Sequence, residues 1–402
     1  MVPRLARTRD DKVGRKTEQT SSLRGVFLII KAIHMIKTTF TSESVCAGHP
    51  DKICDQISDA ILDAAISVDK HSHVGVEAMV GKDFVALVGE LKTKAKLDFK
   101  KITKNVIKKL GYTDPELKFT FNSPITVKVH TQSPEIAVGV DDEGAGDQGM
   151  MFGFACSDTK NYMPLPISIA HRLVMKVDEI RINKKLDYLR PDGKSQVTVG
   201  YNKFKPVSVE QIVMAVPHLK SVSISTVKND IFNYVVKPVL NEFGYKITLK
   251  EFMFNGTGVW HFSGPAADSG VTGRKIVVDS YGGMCHVGGG CFSGKDPTKV
   301  DRSGAYAARY LAKNIVACGL ADRCEVRLAY FIGARKPVMQ QIETFGTAKK
   351  SFKVINSLMT KLLDTSVKGI IDKFDLLRPI YFNTAAYGHF GRDEFPWEKI
   401  VS

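Results

Sequence analysis

Gly288-Gly289-Gly290-Cys291-Phe292-Ser293-Gly294-Lys295-Asp296-Pro297-Thr298-Lys299-Val300-Asp301-Arg302 runs from a glycine-rich loop into a helix expected near Asp301–Cys318. Gly289 to Lys295 satisfies the spacing GxxxxGK, but a P-loop would continue with Ser or Thr for its metal, and Asp296 stands there. The residue types still suit a phosphate, because glycine lets backbone N–H groups approach it and Lys295 supplies charge. Asp296-Pro297 is expected to open the helix, with proline at the first helical position. Lys295, Lys299 and Arg302 follow at intervals of four and three with Asp296 and Asp301 interleaved. Cations and metal-capable carboxylates therefore share one or two turns. A glycine-rich turn beside a solvated charged face would produce the same pattern without any ligand.

Upstream of this stretch, the chain alternates strand-like and helical segments. Strand-like sequence begins at Ile36–Phe40, and Pro50-Asp51 opens a helix with Ile53, Ile57, Ile61 and Ala64 on one face. Strands follow at Val74–Val80 and Phe84–Leu91 around the turn Gly81-Lys82-Asp83, then a helix over Phe99–Leu110 closed by Gly111, then strands at Phe119–Phe121 and Ile125–Val129. A helix near Ser168–Lys184 turns Ala170, Leu173, Val174, Val177 and Ile180 inward. Strands are expected at Gln196–Tyr201 and Gln211–Val216, and Ser225 caps a helix ending at Gly244. Strands recur at Phe252–Phe254 and Lys275–Asp279, and a last pair of helices lies near Asp301–Cys318 and Ser351–Leu363. Each third thus holds two helices among several strands. The fold class is α+β, built as three similar sheet-plus-helix units. The boundaries fall at 35–134, 143–262 and 263–402. Residues 1–34 form a basic N-terminal extension, expected to be disordered, and Met35 is the more natural start.

The chain has 402 residues, 44% of them hydrophobic and 25% charged, which excludes wholesale disorder and a collagen-like chain. No run reaches the ~18 apolar residues of a membrane helix. There are 57 Lys and Arg against 42 Asp and Glu, a net charge of +15. In residues 1–34, eight cations face three acids, which accounts for +5 and leaves +10 for the rest. That excess suits a polyanion, whether nucleotide, nucleic acid or membrane surface. The seven cysteines show no CxxC pair and no zinc spacing, as expected of reduced thiols in a cytoplasmic protein.

Three further segments carry chemistry. In Phe40-Thr41-Ser42-Glu43-Ser44-Val45-Cys46-Ala47-Gly48-His49-Pro50-Asp51-Lys52, a strand turns into a helix whose N-terminus favours anions. Asp51 there can hold Mg²⁺ and His49 can polarise a leaving oxygen, although His49 also reads as a plain helix cap. Asp55, Asp59 and Asp63 continue at spacing four and read as a solvated stripe. Asp268-Ser269-Gly270-Val271-Thr272-Gly273-Arg274-Lys275 places adjacent cations after two glycines, which suits a phosphate chain or a charged strand edge. Gly144-Ala145-Gly146-Asp147-Gln148-Gly149 reads as a lid or a turn. There is no GxSxG, no HExxH and no run of stackable aromatics among the basic residues.

Taken together, these segments resemble the S-adenosylmethionine synthetase (methionine adenosyltransferase) family. The motifs are FTSESVCAGHPDKICDQISDAILDA, GAGDQGMMFG, RPDGKSQV, SGVTGRKIVVDSYGG, GGGCFSGKDPTKVDRSGAYAARYLAKNIVA and TAAYGHFGRDEFPWEK, spread from Phe40 to Lys399. The resemblance implies attack of the methionine sulfur on C5′ of ATP, release of tripolyphosphate, and its hydrolysis to phosphate and pyrophosphate. A neutral thioether needs no general base, so catalysis is expected to rest on positioning and electrostatics around the triphosphate.

The resemblance also implies roles residue by residue. His49, Lys194, Arg274 and Lys295 are the catalytic set. ATP is further contacted by Asp192, Val259, Trp260, Asp268, Lys275 and Cys291. Glu90, Gln132, Asp268 and Lys299 line the methionine pocket. Asp51 and Asp301 serve two Mg²⁺ per active site, and Glu77 lies where the family holds one K⁺ per subunit. The units are expected around a pseudo-threefold axis, in a homodimer with shared active sites, often a dimer of dimers, with no nucleic-acid or membrane partner. Two departures stand out. The family's Gly-Arg-Phe reads Gly258-Val259-Trp260 here, so Trp260 keeps a stacking surface while the arginine is lost, and the lid between Gln132 and Gly144 is shorter than in familiar bacterial members. A nucleic-acid binder would instead spread its cations in an open stripe and hold to heparin at high salt. An inactive regulatory homologue would lack phosphate or metal residues.

Overall fold

The computed structural model describes residues 37–131 and 144–401. The expectations for residues 1–34, for Gln132 and for the short lid lie outside these residues.

Three sheets organise the chain. The first comprises β1 (Lys37–Val45), β6 (Lys194–Asn202), β7 (Lys205–Ala215) and β8 (Phe252–Phe254), in that order. The second runs β4 (Ile125–His130), β3 (Phe84–Lys92), β2 (His73–Gly81), β9 (Gly270–Val271). The third runs β11 (Met339–Glu343), β10 (Arg323–Tyr330), β5 (Gly149–Cys156). Each sheet includes a strand from a distant part of the chain. β1 pairs antiparallel with β6, β5 with β10, and β9 with β2.

Each sheet buries one face under helices. Helix α1 (Pro50–Val68) packs on β2, with α2 (Phe99–Lys109) beside it. Helix α3 (Leu165–Ile182) packs on β1 and β6. A second layer there is α4 (Ile224–Ile231), a π turn over Phe232–Val236, and α5 (Lys237–Glu242), where Pro238 cannot donate to the ladder. A short helix, α6 (Ile276–Asp279), precedes α7 (Val300–Ala317), which packs on β5 and β10, and α8 (Phe352–Leu362) and α9 (Val367–Phe374) pack on its far side. Three separate hydrophobic clusters result, one per sheet. The architecture is therefore three-domain, as expected. Among the described residues, no helix is long and apolar enough to cross a membrane.

Several local expectations are corrected. Residues 119–121 form no strand; Phe119 is buried edge-on against Tyr112 in irregular chain. Residues 276–279 are a short helix rather than a strand. Their β-branched run mimics a strand, but Ser280 Oγ donates to the Ile276 carbonyl and Asp279 is drawn inward to Lys52. The helix cap is Ser223, whose Oγ accepts the Thr226 N–H at 3.2 Å, not Ser225. Pro297 does not open α7, which starts at Val300 with Lys299 as its cap, because Asp296 is spent on holding a turn. Ala65, not Ala64, faces the α1 core. Strands β5, β10 and β11 and helix α9 had no expectation. β5 is buried along most of its length, so its sequence does not alternate. Gly153 is obligatory there, since a Cβ would stand 1.9 Å from the Ala308 carbonyl carbon of α7.

Candidate active site

The first residues of α1, from Pro50 to Asp59, are all buried, and this burial organises the site. His49 is the cap; its Nδ1 accepts the Asp51 N–H at 3.2 Å. One turn apart along the helix, four aspartates each take backbone N–H groups from distant loops. Asp51 Oδ1 accepts from Val271 at 3.0 Å, Asp55 Oδ1 from Gly273 at 2.8 Å and Asp59 Oδ1 from Gly294 at 2.8 Å. Asp63 accepts from Tyr381 at 2.9 Å and Phe382 at 2.8 Å. The reading of Asp55, Asp59 and Asp63 as a solvated stripe is therefore wrong. They moor the two cation-bearing loops and the 380–384 segment to one helix. Spacing four was legible, but their burial was not.

Two lysine–carboxylate pairs result. Lys275 Nζ lies 2.5 Å from Asp51 Oδ2, with Arg274 Nε 3.7 Å from Oδ1. Lys295 Nζ lies 2.5 Å from Asp301 Oδ2. Asp301 in turn sits against Gly290, where a Cβ would stand 2.2 Å from its carboxyl carbon, so only glycine admits this approach. Burial raises the Asp51 carboxyl, but the Lys275 ammonium and the Val271 N–H outweigh it and hold the group below the usual range. His49 is pulled down to about 3, first by burial and then by Lys275 and Lys194. It is thus neutral, and with Nδ1 accepting, the proton sits on Nε2.

Other expected residues fall as follows. Lys194 begins β6 opposite Val45, exposed, close enough for its charge to depress His49. Cys291 packs on Gly273, joining the two loops, and Lys295 and Asp301 both act on its thiol. Lys299 Nζ pairs with Asp296, which is fully buried and also accepts from the Val74 and Thr298 N–H groups. Glu77 points outward on β2, and Glu90 lies on the same face beside Gly75, the residue that bridges to Lys295. Asp192 is buried, accepting from Gly193 at 2.7 Å and Gly264 at 2.9 Å, and burial raises its carboxyl to about 6 against those bonds. Val259 and Asp268 are exposed and Trp260 is half-buried. No hydrogen bond or ion pair joins the side chains of these three to either lysine–aspartate pair among the described residues. Sequence reading also missed Lys52, which pairs with Asp279 at 2.5 Å and Asp55 at 2.8 Å beneath the cluster.

Beside the site, His171 Nδ1 meets Ser44 Oγ of β1 at 2.8 Å, and burial, then Arg392 and Lys52, lower it to about 3. A histidine lowered on folding contributes stability that is present above its unfolded pKa and is lost as pH falls through about 6.5. The destabilisation caused by His171→Gln should therefore be smaller at pH 5 than at pH 7.5 by about 2 kcal/mol. Urea midpoints of both proteins at the two pH values check this; equal differences would contradict it. Comparing variant with wild type cancels the opposite slope from Asp63 and Asp192, both raised to about 6 mainly by burial.

Comparison with known proteins gives the family. The N-terminal, central and C-terminal domain models of S-adenosylmethionine synthetase match residues 37–134, 142–260 and 262–399. The chain belongs to the S-adenosylmethionine synthetase family. It is 50% identical over 368 residues to the S-adenosylmethionine synthase of Sulfurovum sp. (strain NBC37-1), covering 90% of this chain and 95% of that one. It is 47% identical over 370 residues to that of Treponema denticola, at the same coverages. Against the synthase of Leifsonia xyli subsp. xyli it is 46% identical over 379 residues, covering 90% and 96%.

Proposed function

We propose that this chain makes S-adenosylmethionine from ATP and L-methionine by seating the triphosphate between the Lys275–Asp51 and Lys295–Asp301 pairs. The carrying observation is that the two loops bearing these cations are moored to one buried helix, through Asp51, Asp55 and Asp59. A sulfur lone pair forms the S–C5′ bond, C5′–O breaks, and its electrons leave with tripolyphosphate. Water then divides the tripolyphosphate into phosphate and pyrophosphate. Arg274, Lys275 and Lys295 offset the charge gathering on the leaving group, and Lys194 extends the cationic wall. His49, neutral and capped through Nδ1, offers its Nε2–H to an oxygen near the breaking bond.

Asp51 and Asp301 fit Mg²⁺. They are hard oxygen donors, each already facing a cation at 2.5 Å. Among the described residues no group of three His, Cys, Asp or Glu side chains is arranged to hold a metal ion by itself. Single carboxylates that leave the remaining positions to phosphate and water are what Mg²⁺ usually takes. When bound, Mg²⁺ neutralises phosphate charge. Glu77 is the residue assigned to K⁺, and no step is assigned to that ion. Methionine is assigned to Glu90, Gln132, Asp268 and Lys299, and adenine to Trp260 and Val259 with Asp192, Asp268 and Cys291 nearby. The reading extends to three units, 35–134, 143–262 and 263–402, about a pseudo-threefold axis, in a cytoplasmic homodimer with shared sites.

Purified protein supplied with ATP, L-methionine, Mg²⁺ and K⁺ should yield S-adenosylmethionine with one phosphate and one pyrophosphate, followed by mass spectrometry and phosphate release. Folded protein that binds ATP but forms no sulfonium product would overturn the reading.

A further inference from the structure

Arg302 and Arg309 stand two turns apart on α7, both fully buried. Each spends all five N–H donors on protein acceptors, the full capacity of a guanidinium. Arg302 binds Asp59 through both carboxylate oxygens, at 2.7 and 2.8 Å. Its remaining donors reach the Lys295 carbonyl at 3.1 Å, Thr384 Oγ1 at 2.9 Å and the Tyr306 hydroxyl at 3.0 Å. Its plane lies 4.3 Å over the Tyr381 ring. Arg309 binds Glu398 in the same forked way, and the carbonyls of Phe154, Tyr162 and Asn161. One arginine holds a backbone atom of the phosphate-binding loop. The other holds only scaffold.

We propose that Arg302, together with Asp59, is a positioning residue for Lys295. Asp59 takes the Gly294 N–H and Arg302 takes the Lys295 carbonyl, so two consecutive loop residues are fastened to one buried ion pair. That pair also joins α1, whose N-terminus carries Asp51, to α7, whose first turn carries Asp301. It therefore sets where the Lys295–Asp301 pair stands relative to the His49–Asp51 end. A lysine at 302 would keep the charge but lose the planar fork, and cannot meet Asp59, Thr384 and the carbonyl together. The inference rests on the reading that Lys295 binds the triphosphate chain.

The test compares Arg302→Lys, Arg309→Lys and Lys295→Ala, reading thermal midpoint, kcat of synthesis, and KM for ATP, methionine and tripolyphosphate supplied as substrate. Both arginine variants should melt earlier. Only Arg302→Lys should raise the KM for tripolyphosphate, about tenfold, and lower kcat about 10²-fold, the scale of a 1 Å misplacement. Its KM for methionine, and every kinetic constant of Arg309→Lys, should stay within about twofold. A wild-type KM for tripolyphosphate in folded Arg302→Lys, or the same rise in Arg309→Lys, overturns the proposal. If Lys295→Ala itself leaves that KM unchanged, the role of Lys295 fails first. If Lys295→Ala raises it and Arg302→Lys does not, only the positioning role fails. Should Arg302→Lys not fold, Asp59→Asn is read the same way, and an unchanged KM in that variant overturns the proposal.

Discussion

Lys295→Ala should reduce kcat for S-adenosylmethionine formation by about 10²–10³-fold, the usual loss when one preorganised charge is removed from a developing anion. Its folding should barely change. The Lys295 side chain is a quarter exposed and its pair with Asp301 is partly solvated, so the ion pair itself contributes at most about 1 kcal/mol. The loop is held without the ammonium, through the Gly294 N–H on Asp59 and the Lys295 carbonyl on Arg302. A thermal midpoint close to wild type with this loss of turnover separates chemistry from stability. Unchanged S-adenosylmethionine production in the variant would refute the role given to Lys295.

His49→Asn should slow the first step by about 10²-fold, the lower range for one lost hydrogen-bond donor to a leaving oxygen. Asparagine is among the best helix caps, and its Oδ1 can replace Nδ1 as acceptor of the Asp51 N–H, so α1 should still start correctly. What disappears is the longer reach of Nε2–H. Tripolyphosphate supplied directly should therefore be hydrolysed with much less impairment than ATP is converted. Normal synthesis by the variant would sink the assignment, and equal loss in both reactions would move His49 from the breaking C5′–O bond to general phosphate binding.

The start of α1 and both cation-bearing loops were legible because they depend on local chemistry, in a proline at the first turn, glycines before Lys295, and paired cations at Arg274-Lys275. Helix faces were legible for the same reason, from Ile53, Ile57 and Ile61 to Leu173 and Val177. What escaped depends on distant chain. Nothing near Asp59 announces Arg302, which lies 243 residues later. The apolar run Ile276–Val278 matches a strand and a short helix equally well, and what favours the helix lies beyond the run, in Ser280 on the Ile276 carbonyl and Lys52 on Asp279. Strand β5 lacks alternation because its second half, Gly153 to Cys156, is buried residue after residue. Likewise nothing near Asp192 announces Gly264, whose amide it holds together with that of Gly193.

The exchange of strands between sheets sets a clock on biosynthesis. β1 leaves the ribosome early, yet Thr41 meets its partner Thr198 only after 157 more residues have been made. At roughly 5–20 residues per second, that is a delay of about 8–30 s with a strand edge unpaired. β5 waits in the same way for β10, and β2 for β9. No sheet is complete when its first strands emerge, so the nascent chain crosses three overlapping windows in which unpaired strand edges are open to aggregation.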